Sequence, residues 1–284
     1  MFSSIFNNLY SYNAQRNLSN NSSLLDQSLS RIASGLRVQT SADDGASKSL
    51  ADALNSDVVA LQQGNRNLSD GVSLIKTADA GLGEVSAMLI RLRGLATQTA
   101  NGTIDQNQRA TLQLEYTALN SEIDRFAATT EFNGQKLLDG SLSSTSGTPT
   151  VIQFGDQTNS NNYFNLNHVM DLTAVTTSSL GIAGSSIMDS TRSQNAMTVL
   201  TKAVATLSSI RGRIGAAENR MTHTASTQGI SVQSLNQAVS TTRDADLAQE
   251  FATLTRNKII TQASTAMVGQ ANLVPQNIMR LLRQ

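Results

Sequence analysis

Near both ends of the sequence, large apolar residues recur at steps of three, four and seven. The middle is polar and irregular by comparison. The first stripe carries Leu18, Leu25, Leu29, Ile32 and Leu36, and Gly35 stands where a left-handed helix cap belongs, so a helix is predicted over about 3–33. A second stripe runs through Leu54, Val58, Leu61, Leu68, Val72, Ile75, Leu82 and Leu89, interrupted by Asn65 and Asp79. This is a heptad seam. It follows Ser41-Ala42-Asp43-Asp44, where Ser41 and Asp44 have capping-box spacing, and it ends near Ala100 at the turn signal Asn101-Gly102. Such a helix spans roughly 80 Å and is stable only against partners. A third helix, predicted to start at Thr103 with Gln106 completing a capping box, presents Leu112, Tyr116, Leu119, Ile123 and Phe126 on one face. The short turn before it makes the second and third helices antiparallel.

Seven of the ten residues from Ser141 to Thr150 are Ser or Thr. Segments 150–154 and 163–167 are β-rich around the Asn/Ser-rich stretch 156–162, which predicts a hairpin. Too few large apolar residues occur here for a separate globular domain. Helix returns near Ser190, with a seam of Met197, Leu200, Val204, Leu207, Ile214 and Met221, interrupted by Arg211 and Glu218. A last helix carries Leu247, Phe251, Leu254, Ile259, Ala263 and Met267, has Asp244, Asp246 and Glu250 near its start, and meets a break or kink at Pro275 before Ile278, Leu281 and Leu282. The predicted fold is therefore mainly α: a long antiparallel helical coiled-coil bundle with a small β-hairpin region and paired N- and C-terminal helices.

Composition narrows the function. Lys plus Arg number 21 and Asp plus Glu number 21, so no basic excess invites nucleic acid or an anionic membrane. No cysteine occurs, which excludes disulfides and thiolate metal sites. No apolar run approaches a membrane span, and residues 1–20 lack the pattern of a cleaved signal peptide. His168 and His223 fall on different elements, Asp43-Asp44 is explained by capping, and no nucleophile, phosphate or dinucleotide motif occurs. Gly81 and Gly83 read as sites of close helix packing. No catalytic residue, metal or cofactor is expected, and the stripes are packing surfaces.

The residues also carry a family resemblance. Asn13-Ala14-Gln15-Arg16-Asn17-Leu18 is similar to the N-terminal run of bacterial flagellins. So are the segment 29–38 (Leu-Ser-Arg-Ile-Ala-Ser-Gly-Leu-Arg-Val) and Ser41-Ala42-Asp43-Asp44 after it. Glu122-Ile123-Asp124-Arg125 and Glu131-Phe132-Asn133-Gly134 resemble a second flagellin stretch, while Gly269-Gln270-Ala271-Asn272, Val274-Pro275-Gln276-Asn277 and Leu281-Leu282-Arg283 resemble the C-terminal one. The resemblance covers about 1–140 and 190–284. It implies inner-core terminal helices at 1–40 and 240–284, an outer-core helical rod from 41–140 and 190–239, and a short surface region at 141–189 in place of the projecting domains of longer flagellins. The implied function is polymerisation into the flagellar filament, a helical propeller.

In that setting the assembly seam comprises Leu18, Leu25, Leu29, Ile32, Leu247, Phe251, Leu254, Met267, Leu281 and Leu282. The implied partners are further copies of the chain, the flagellar cap and hook–filament junction proteins, and a cytoplasmic export chaperone at the C-terminal helix. Export would use the flagellar type III channel to an extracellular or periplasmic filament, without signal cleavage. The segment 91–98 resembles a motif sensed by a Toll-like receptor, with Arg91, Leu95 and Glu115 at its main contact positions and Gly94 where an acid is common. The opening Met1-Phe2-Ser3-Ser4-Ile5-Phe6 departs from the family pattern. A hook–filament junction protein shares the terminal design. A soluble coiled-coil adaptor or signalling bundle fits the stripes as well, but predicts folded termini.

Overall fold

The structure, a computed structural model, describes residues 8–155 and 161–281. In chain order the elements are α1 (Leu9–Ser34), α2 (Gly45–Ala100), α3 (Gln106–Thr129), β1 (Glu131–Phe132), β2 (Gln135–Lys136), β3 (Val151–Gln153), β4 (Tyr163–Asn165), α4 (Leu166–Met170), α5 (Ser190–Arg243) and α6 (Leu247–Leu281). The long helices α2 and α5 are 56 and 54 residues. Helix α6 continues through Pro275, so of the break or kink that the sequence predicts there, the break does not occur. The chain divides into two compact units, 57–233 and the pair of segments 1–56 and 234–284.

In the unit 57–233, α2 and α5 run antiparallel in one register. Thr99 hydrogen-bonds Ser193 at 2.9 Å, Asp79 takes a bidentate ion pair from Arg211 at 2.9 and 3.1 Å, and Gln228 donates to the Leu61 carbonyl at 2.7 Å. The polar interruptions of the two predicted seams, Asp79 and Arg211, thus answer each other. The α2 seam is as predicted at Val58, Leu68, Ile75, Leu82 and Leu89, all buried, and it continues through Leu92, Leu95 and Ala96. On α5 the buried line is Ala196, Leu200, Ala203, Leu207, Ile210, Ile214, Ala217 and Met221. Met197 and Val204, predicted in the seam, flank it half-buried, because the neighbouring alanines let the helices approach.

Helix α3 starts later than predicted. Its capping box is Asp105 with Gln108: the Asp105 carboxylate accepts from the Gln108 backbone N–H at 2.8 Å, and the Gln108 side chain accepts from the Asp105 N–H at 3.3 Å. Arg109 sets this start. Only 6% exposed, it turns back and donates to the carbonyls of Thr99, Asn101 and Ile104. The α3 face then places Tyr116, Ile123 and Ala127 in the core, with the Tyr116 hydroxyl bonded to Ser185 at 2.6 Å.

Two antiparallel hairpins complete this unit. The predicted one pairs Val151 with Asn165, Ile152 with Phe164 and Gln153 with Tyr163; the middle of its connection, 156–160, lies outside the described residues. The other, β1–β2, turns on Asn133 and Gly134, both at positive φ (50° and 79°), as a two-residue hairpin loop requires. The polar segment 141–189 lays Leu142, Phe164, Leu166, Met170, Leu172, Val175, Ile182 and Ile187 into the same core as α2, α3 and α5. Close approach occurs at glycines of α2. A Cβ on Gly64 would stand 2.0 Å from the Phe154 carbonyl oxygen, and one on Gly71 2.2 Å from Ile152. At Gly81 the neighbours are Leu138 and Thr130, which lie outside the helices, and at Gly83 nothing is within 4 Å, so neither is a helix-packing contact.

Candidate assembly surface

The unit formed by 1–56 and 234–284 is built on an antiparallel pair, α1 with α6. Helix α1 ends at Gly35, whose φ of 72° is the left-handed cap read from the sequence. The chain beyond is tied to the start of α6. Leu36 bridges Asp244, Arg37 and Val38 donate their backbone N–H groups to the Arg243 carbonyl at 2.7 and 3.3 Å, and Ala245 donates to Gly35 at 2.9 Å. The start of α2 is capped by Asp44, not by Ser41. Its carboxylate accepts from the Ala46 and Ser47 N–H groups at 3.1 and 3.0 Å and from the Ser47 hydroxyl. Asp43 turns the other way, accepting from the Thr40 N–H at 2.9 Å and the Thr40 hydroxyl at 3.0 Å. These bonds hold both carboxyls below the usual carboxylate range, Asp43 through Thr40 and Asp44 through Ser47. The two acids point apart as separate caps.

Which residues α1 and α6 turn toward each other differs from the predicted stripe. The covered line on α1 is Ser11, Ala14, Leu18, Asn21, Leu25, Ser28 and Ile32, at alternating steps of three and four. On α6 it is Leu254, Asn257, Thr261, Ser264, Val268 and Ala271. Polar side chains in this seam bond across it. Asn257 donates to the Ser28 hydroxyl at 3.1 Å and the Leu24 carbonyl at 3.3 Å, Asn21 to the Ser264 hydroxyl at 2.7 Å, and Thr261 to the Asn21 carbonyl at 3.3 Å. Further along, Ser11 donates to Asn272 at 2.6 Å and Asn8 to the Ala271 carbonyl at 2.9 Å.

The larger apolar side chains stand outside the pair. Leu9, Tyr10, Tyr12, Leu24 and Leu29 of α1 are exposed, as are Leu247, Phe251, Ile259, Ile260, Met267 and Leu273 of α6, with Phe251 at 51% and Met267 at 63%. Of the predicted seam residues, Leu18, Leu25, Ile32 and Leu254 are half-buried between the helices, whereas Leu29, Leu247, Phe251 and Met267 face outward. The Leu281 side chain and Leu282 lie outside the described residues. So much apolar surface on two paired helices exceeds the scatter of single exposed residues that any soluble surface carries.

In the other unit, Arg91 and Glu115 meet on the surface, with the Arg91 Nε donating to the Glu115 carboxylate at 2.7 Å. Leu95 does not join them: it is 1% exposed and packs in the core. His168 and His223 are both exposed, and among the described residues no group of three His, Cys, Asp or Glu side chains clusters as a metal site. No described helix is long and apolar enough to cross a membrane.

Long helices with a half-polar internal seam and an apolar outside define a structural subunit made to be covered by other helices. The family model of the bacterial flagellin N-terminal helical region matches residues 5–143, and that of the C-terminal helical region matches 197–282. Flagellin of Halalkalibacterium halodurans is 36% identical over 98% of this chain and 99% of its own length, and flagellin of Bacillus subtilis is 35% identical over the same shares. The chain belongs to the bacterial flagellin family, a family of structural proteins, and is a subunit of the flagellar filament. A candidate flagellar hook-associated protein from Vibrio parahaemolyticus shares the fold, with a TM-score of 0.54 at 14% identity, over 71% of this chain and 99% of that one.

Proposed function

We propose that the α1/α6 pair is the part of the subunit through which copies join in the filament, and that Leu29, Leu247, Phe251, Ile259 and Met267 form the joining surface. The supporting observation is the exposure of these side chains while smaller and polar ones fill the intrachain seam. In this reading 1–40 and 240–284 are the inner core of the filament, 41–140 and 190–239 its outer-core rod, and 141–189 its short outer surface. Copies of the chain are the main partner. The flagellar cap and junction proteins meet the same terminal surface, and a cytoplasmic export chaperone covers the apolar outside of α6 before assembly. The chain leaves the cell through the flagellar export channel.

Burying a phenylalanine side chain is worth about 1.5–3 kcal/mol, and each 1.4 kcal/mol is about tenfold in an equilibrium constant. Phe251 is 51% exposed, so about half of that burial remains to be gained, and Phe251→Ser raises the critical concentration for growth on sheared filament seeds by about four- to twelvefold. Electron microscopy and sedimentation of the polymer measure it, and an unchanged critical concentration refutes the joining surface.

A second reading rests on the exposed pair of Arg91 and Glu115. These two side chains, on adjacent helices, form the part of the receptor-sensed motif that a Toll-like receptor could touch, with Leu95 supporting them from the core. Arg91→Ala then lowers receptor signalling in a reporter assay while the helicity of the chain is unchanged. Equal signalling by the variant removes Arg91 from recognition.

A further inference from the structure

The α1/α6 seam is unusual in what it leaves out. Large apolar side chains are available on both helices, at Leu29, Phe251, Ile259 and Met267, yet they face outward. The seam instead contains Asn257, 7% exposed, and Ser28, 3% exposed, bonded to each other. One heptad away Asn21 bonds Ser264, and Thr261 bonds the Asn21 carbonyl. A seam made only of leucine closes tightly but also closes after a slip of one heptad, because every layer looks alike. A slip of seven residues moves one helix about 10 Å along the other. A buried amide bonded to one hydroxyl and one backbone carbonyl has both partners in this register; a slip of one heptad sets Asn257 against Gly35 in one direction, and in the other sets it against Asn21 while Ser264 faces Ala14.

We propose that Asn257, with Ser28 and the Leu24 carbonyl, is a register latch: it lowers the strength of the α1/α6 pair but fixes which apolar residues the pair presents to neighbouring subunits. The latch acts through position and touches no neighbouring copy itself. It rests on the joining surface proposed above, since register matters only if the outside of the pair is read by other copies. Its chemistry fits that role. The amide offers two donor hydrogens, and both accepting groups belong to one turn of α1, Leu24 and Ser28. The neighbouring layer of Asn21, Thr261 and Ser264 repeats the device on the other side of Leu25, and no slip of one heptad keeps both layers, since either Asn257 faces Gly35 or Ser264 faces Ala14.

Asn257→Leu tests this, because leucine has the branching and the number of side-chain heavy atoms of asparagine, while its two methyl groups replace the amide oxygen and nitrogen and add apolar burial. If Asn257 only fills space, the variant pairs its termini better and polymerises as well as or better than the parent. The latch predicts opposite signs: higher helicity and thermal stability of the terminal pair, with elongation on parental seeds slowed several-fold. Register is read separately. The chain has no cysteine, so Ser11→Cys with Asn272→Cys gives one disulfide, at a site where the parent side chains are 2.6 Å apart. Its yield on oxidation falls when Asn257→Leu is added. Parental elongation together with an unchanged disulfide yield overturns the latch. Phe251→Ser in the same assay keeps the two proposals apart: normal growth of that variant removes the joining surface, whereas its failure beside normal growth of Asn257→Leu removes only the latch.

Discussion

Gly64→Ala destabilises the unit 57–233 by about 2–4 kcal/mol, although alanine is the better helix former by about 1 kcal/mol. The reason is the hairpin that crosses α2 at this point. The added methyl would stand 2.0 Å from the Phe154 carbonyl oxygen and 2.6 Å from the Gln228 amide nitrogen, and backbone cannot give way as a side-chain tip can. Gln228 donates to both the Phe154 and Leu61 carbonyls, at 2.6 and 2.7 Å, so pushing Phe154 aside also breaks the bond that ties the hairpin to α5. Each buried polar group left unpaired adds about 1–3 kcal/mol. Gly83→Ala is the matched control. It lies in the same helix with nothing within 4 Å, so it stabilises by up to about 1 kcal/mol. Urea unfolding followed by circular dichroism gives both values. Two shifts of the same sign would show that helix propensity, not space, governs these glycines.

The contrast marks how far the sequence could be read. Heptads on α2 were legible because burial on one side of a long helix repeats in the chain, and Val58, Leu68, Ile75, Leu82 and Leu89 lie where that repeat puts them. Gly64 and Gly71 were not, since their reason is a hairpin about ninety residues away in sequence. On α5 a search for large apolar residues selects Met197 and Val204, while Ala196 and Ala203 fill the seam because two close helices need small side chains there. The terminal helices mislead in the opposite direction. Leu29 continues the predicted stripe, but Ser28 is the residue that turns inward, where its hydroxyl accepts from Asn257. The β1–β2 hairpin had a signal, Asn133-Gly134, but strands of two residues show no alternation to support it. For the terminal pair, the sequence predicted both helices and most of the apolar residues they carry. It could not divide them between inside and outside, since one periodicity serves both.

Replacing Arg109 should have the second large effect. The start of α3 has two capping boxes by spacing, Thr103 with Gln106 and Asp105 with Gln108, and the second forms. Arg109 accounts for the choice. Buried at 6% exposure, it has no ion-paired carboxylate among the described residues. Its guanidinium instead donates to the Thr99 carbonyl in the last turn of α2, to Asn101 at 2.8 Å and to Ile104 at 3.1 Å. The negative end of a helix attracts a cation, and a planar fork can reach three carbonyls, of which that of Asn101 also accepts from the Ile104 N–H at 3.4 Å. The same corner is held from α5 by Ser190, which donates to the Ala100 carbonyl at 3.0 Å, and by Ser193 on Thr99. Arg109→Met keeps much of the apolar stem but takes the donor from the Thr99 and Ile104 carbonyls, so the unit should lose about 2–4 kcal/mol. Arg109→Lys should recover less than half of that loss, because an ammonium carries the charge without the fork. Amide hydrogen exchange gives the local reading. Protection should fall first at residues 98–110 in both variants, while the α2 amides near Leu82 stay protected. If lysine restored the parental stability in full, charge alone would hold the turn and the geometry of the fork would be incidental.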